Sequence, residues 1–76
     1  MAFNVKTTSR LTGIHRSTLL AWERRYGVVI PEREPNGYRI YSRSQIARLK
    51  KLKALVDEGY RVSEAVRLLD RVRPQK

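Results

Sequence analysis

The chain has 76 residues and no cysteine, and its 17 lysines and arginines face only 7 acids, a formal charge of +10. This length fits one domain near the lower limit of what folds without staples, and without cysteine neither disulfides nor a thiolate metal site can supply the missing stability. No run is apolar enough to span a membrane and no continuous apolar segment of a signal peptide opens the chain, so the cytoplasm is the expected compartment.

The charge is unevenly placed. Residues 1–56 hold twelve bases and three acids, whereas residues 57–76 hold five bases and four acids. Twelve of the 17 bases are arginine, whose planar fork suits phosphates and guanine edges. An anionic partner accounts for that density better than a merely solvated surface.

In chain order, Phe3 to Lys6 reads as a brief strand or an ordered arm. Thr7 or Thr8 caps a short helix over 7–13, which carries Leu11 and stops at Gly13. Ile14 and His15 make a turn, and His15 or Ser17 precedes a second helix over 16–26. Within it, Leu19, Trp22 and Tyr26 recur at spacings of three and four, which marks them as the inward face. A helix, a glycine turn and a second helix in so few residues form a helix-turn-helix pattern.

Gly27 ends that helix, and a wing over 28–41 follows. Val28, Val29 and Ile30 suit an extended segment, and Pro31 and Pro35 exclude a helix. Asn36-Gly37 signals a tight hairpin turn. Tyr38 and Ile40 then fall on one face of the returning strand, with Arg39 and Tyr41 on the other. So small a ribbon must lean on the helices, and Ile30 and Ile40 are the expected tethers.

Ser42 and Gln45 have capping-box spacing and open a third helix over 43–57, with Ile46, Leu49, Leu52, Leu55 and Val56 as its apolar face. Ser63 is the expected cap of a fourth helix over 63–72, carrying Ala65, Val66, Leu68, Leu69 and Val72 and stopped by Pro74. The fold class is therefore mainly α: four helices and a small two- or three-stranded wing.

Arg16, Ser17 and Thr18 begin the second helix, the end of such a motif that enters the major groove. Arg16 has the reach for a guanine edge, and Ser17 or Thr18 for a base or a phosphate. Arg24 and Arg25 lie two turns on and suit the backbone. Arg39 in the wing and Arg43 at the start of the third helix suit phosphate or the minor groove, and the Tyr38 hydroxyl suits phosphate. Trp22 fits a core anchor better than a groove-facing ring, although its indole N–H can reach phosphate from the rim. Glu23, an acid in this basic helix, is expected to hold an arginine of the wing or third helix. His15 is the lone histidine and fits a cap or a phosphate contact; no catalytic arrangement, cofactor loop or metal site can be assembled from these residues.

Ser9-Arg10-Leu11-Thr12-Gly13-Ile14, Thr18-Leu19, Glu23 and Gly37-Tyr38-Arg39-Ile40-Tyr41-Ser42 together resemble the N-terminal DNA-binding domain of MerR-family transcription regulators. Ala21-Trp22-Glu23-Arg24-Arg25-Tyr26-Gly27 is similar to the subgroup of repressors in light- and cobalamin-responsive control of carotenoid genes. The resemblance spans Val5 to Leu69. It implies a winged helix-turn-helix whose second helix enters the major groove while the wing grips the backbone. Arg16, Ser17, Thr18 and Trp22 then match groove and backbone contacts, and Tyr38 and Arg39 match wing contacts. Leu20 stands where the family usually has arginine.

The resemblance further implies a DNA-binding fragment of a longer repressor that dimerises through a C-terminal region. The alternatives are an excisionase-like architectural protein, or an interaction module docking an acidic, antirepressor-like protein that mimics the duplex.

Overall fold

A computed structural model describes residues 2–71. Asn4, rather than Thr7 or Thr8, starts helix α1 (Val5–Thr12): its Oδ1 accepts the Thr7 N–H at 2.8 Å. Asparagine is the stronger cap, so the helix begins two residues earlier than its threonines suggest. Thr8 and Thr12 are the buried residues of α1, whereas Leu11 is 44% exposed. The Thr12 hydroxyl donates to the Thr8 carbonyl at 2.8 Å and accepts the Ile14 N–H at 3.2 Å, and Ser9 Oγ donates to the Ile14 carbonyl at 2.6 Å. These bonds fix the turn and, with it, the angle at which the next helix leaves.

Helix α2 (Arg16–Tyr26) is capped by His15, whose Nδ1 accepts the Ser17 N–H at 3.2 Å. It ends at Gly27 in the left-handed region (φ 59°). Leu19 is buried and Trp22 packs half-buried against the core. Tyr26 departs from the expected inward row. It lies in the last turn, 37% exposed, where the core no longer reaches it, and the Arg25 guanidinium stands 5.7 Å from its ring centroid.

The chain then runs inward through buried Val28, Val29 and Pro31. Strand β1 (Ala2–Phe3), β2 (Glu32–Arg33) and β3 (Arg39–Ser42) form an antiparallel sheet in the order β1-β3-β2. The register pairs Phe3 with Tyr41 and Glu32 with Ile40. The Asn36-Gly37 turn forms as its chemistry dictates: Asn36 Oδ1 accepts the Tyr38 N–H at 3.1 Å, and Gly37 adopts φ 91°. The expected tether through Ile30 is corrected, for Ile30 is 72% exposed. Tyr41, 1% exposed, anchors the sheet instead, and an inward tyrosine buries more apolar area than an isoleucine at the loop's outer bend.

Helix α3 (Arg43–Asp57) opens with the complete Ser42/Gln45 capping box and buries Ile46, Leu49 and Leu52. Helix α4 (Val62–Arg71) begins one residue before Ser63, which is not its cap; Glu64 Oε1 instead accepts the Arg61 N–H at 3.1 Å. Ala65 is its buried contact, with Val66 and Leu69 packed beside the core. Val72 and Pro74, expected in and after this helix, lie outside the described residues. Among the described residues no helix is long and apolar enough to cross a membrane.

Candidate nucleic-acid interface

At 3.6 residues per turn, buried Leu19 and half-buried Trp22 define the core side of α2. The opposite side carries Ser17 and Arg24, both exposed, with Ala21 half-buried beside Ser17; Leu20 lies half-buried between Arg24 and Arg16, which is exposed on the flank. Thr18 is also half-buried, nearer the core side. Arg25 is exposed at the C-terminal turn beside Tyr26.

One ion pair joins the wing to α2. Arg39 Nε donates to Glu23 Oε1 at 2.8 Å, with both side chains largely covered (27% and 17% exposed). Glu23 therefore does hold a wing arginine, as expected of it. The bond uses Nε and points the guanidinium along a fixed direction. Tyr38, at the wing tip, is 70% exposed. Behind Arg39 on the same strand face lies Tyr41, whose hydroxyl is buried without a hydrogen-bond partner. Burial, and secondarily the Glu23 carboxylate, push its ionisation above the usual tyrosine range.

Between the wing, the start of α2 and the N-terminal arm lies a groove of about 620 Å³. Arg16, Tyr38 and Arg39 line it together, joined by Lys6 and by an apolar side that includes Leu20 and Ile40. Ser17, Thr18, Trp22, Arg24, Arg25 and Arg43 do not line it. Ser17 Oγ lies 2.9 Å from His15 Nδ1, so its hydroxyl is partly committed to the helix start. Arg43 is exposed in the first turn of α3, and Arg24 and Arg25 continue the basic face to the other end of α2. Nothing local in the sequence marks Lys6 for this site; its approach to the wing depends on β1 pairing with β3, a long-range contact.

The groove offers guanidinium, ammonium and phenol donors, with one acid, Glu34, beside an apolar wall, and its three cations against one acid suit phosphate oxygens and base edges. Among the described residues, no group of three His, Cys, Asp or Glu side chains is placed to hold a metal ion.

The profile of the MerR HTH family regulatory protein matches residues 3–72. The HTH-type transcriptional repressor CarH of Myxococcus xanthus is 46% identical over 67 residues, which is 88% of this chain and 22% of that repressor. CarA of the same organism is 46% identical over 68 residues, 87% of this chain and 24% of CarA. The chain thus spans less than a quarter of the length of these two curated relatives. The solution structure of the N-terminal domain of the CarA repressor superposes with a TM-score of 0.76 at 41% identity, covering 100% of this chain and 96% of that domain. With its helix-turn-helix, wing and basic face, the chain belongs to the MerR HTH family of regulatory proteins and is a DNA-binding domain of that kind.

Proposed function

We propose that the chain is the operator-binding domain of a transcriptional repressor that works in the cytoplasm, with α2 in the major groove and the wing on the flanking backbone. The observation that carries this reading is the joint placement of Arg16, Tyr38 and Arg39 around one groove beside the open face of α2. Arg16, at the first turn, reaches base edges; Ser17 and Thr18 assist at a base or a phosphate. Trp22 at the rim, Arg24, Arg25 and Arg43 hold the backbone, and Tyr38 and Arg39 fix the wing on phosphates.

The similarity to CarA and CarH, which are repressors, favours repression, and their greater length supports a chain that continues into a dimerising region. Two domains would then read a palindromic operator, and a single one binds a half-site. A second partner is favoured by the charge alone: the positive excess of residues 1–56 suits an acidic antirepressor-like protein competing with DNA for the same face.

Methylation interference tests the proposal. Methyl groups on guanine N7 block the major groove, and those on adenine N3 block the minor groove. Within a bound half-site, guanine methylation is expected to prevent binding at one or two positions. Interference confined to adenines would place the protein in the minor groove and reject the reading.

A further inference from the structure

We propose that Leu20 is a specificity-determining residue that reads the C5 methyl group of a thymine. The inference rests on the reading above, that α2 enters the major groove. Leu20 lies roughly 130° around α2 from the core-facing Leu19 and Trp22, at about 100° per residue. A leucine there has no core to fill. It is half-buried and lines the same groove as Arg16, one helical turn before it, together with residues of the wing and the N-terminal arm. Phe3 and Ile40 border that groove too, so Leu20 belongs to an apolar wall beside the cations Lys6, Arg16 and Arg39 and the acid Glu34.

An apolar group on the groove face of a recognition helix has no donor or acceptor with which to tell base pairs apart. The major-groove feature it distinguishes is the thymine methyl, which it can take out of water. Arg16 and Leu20 are four residues apart on one helix face, a rise of about 6 Å. At about 3.4 Å per base step, the thymine then lies within about two base pairs of the guanine met by Arg16.

The test begins by selecting the preferred duplex from a random library with the 76-residue chain. Each thymine of that duplex is then replaced singly by deoxyuridine, which removes only the methyl. With the unaltered protein, one position is expected to weaken binding about fourfold, the effect of one buried methyl group. With Leu20→Ala that position becomes indifferent to the methyl, while the guanine preference set by Arg16 persists. Because the deoxyuridine series uses the unaltered protein, folding of the variant does not decide the first outcome. As a second variant, Leu20→Gln shifts the selected base at that position toward adenine. A specific duplex insensitive to every thymine methyl, or a methyl effect that survives Leu20→Ala, overturns the assignment and leaves the major-groove reading standing. A selection that returns no preferred duplex overturns both.

Discussion

At the residue scale, the wing arginine Arg39 is held by an acid of the neighbouring helix. Arg39 commits its Nε to Glu23, so in the proposed complex Glu23 would act through the direction it imposes on Arg39. Replacing Glu23 by Gln removes a negative charge and frees that arginine. Binding to scrambled duplex should therefore strengthen more than binding to a selected half-site, narrowing the ratio between them. Competition titrations measure that ratio, and a parallel rise on both duplexes would show that the pair does no positioning. Tyr41 makes a different case. Its ring anchors the sheet, but its hydroxyl is buried with no partner. Tyr41→Phe is expected to leave stability unchanged or raise it by about 1 kcal/mol, read from denaturant unfolding. The raised ionisation also has a sign: above about pH 10 an unfolded tyrosine loses its proton while the buried one keeps it. The stability tied to the neutral ring is thus present below that pH and lost above it, a loss that Tyr41→Phe should remove.

At the scale of elements, the features written in short spacings were legible in the sequence. The Gly13 and Gly27 stops, the Asn36-Gly37 turn and the Ser42/Gln45 box each depend on residues at most four apart, and each forms. The misreadings came from competition or distance. Asn4 outcompeted two threonines as a cap, and Tyr41 replaced Ile30 as the wing's anchor because burial is decided by the packed helices rather than by alternation. Likewise, Arg16, Tyr38 and Arg39 could be named as basic or aromatic candidates, but their meeting with Lys6 around one groove needed β1 to pair with β3. The end of α2 gives a clean test of local coding. A Cβ at Gly27 meets nothing within 4 Å, so Gly27→Ala carries only the backbone cost of φ 59°. About 1 kcal/mol of stability should be lost. A much larger loss in unfolding experiments would point to a packing role that the space around Gly27 does not support.

At the scale of the whole molecule, one arginine ties the end of α2 to α4. Arg48 Nε donates to the Val28 carbonyl at 2.8 Å, just past the end of α2, and its Nη2 donates to Asp70 on α4 at 3.0 Å. Arg48→Lys cannot make both bonds with the geometry of a guanidinium fork. It should cost about 1 kcal/mol in unfolding, with amide shifts at both Val28 and Asp70; shifts confined to one side would mean that the two contacts are independent.

In the proposed complex the basic face formed by α2 and the wing binds duplex DNA, and Arg16 supplies base discrimination. The most direct measurement titrates the protein and its Arg16→Ala variant with a selected half-site and a scrambled duplex at two or more salt concentrations. If ~5 phosphates are neutralised, log K should fall against log salt with a slope of about −4.5 on the specific site. The unaltered protein should prefer the selected site, and Arg16→Ala should lose most of that preference while keeping much of its affinity for the scrambled duplex. Equal affinity of the unaltered protein for both duplexes, or a preference untouched by Arg16→Ala, would contradict the account.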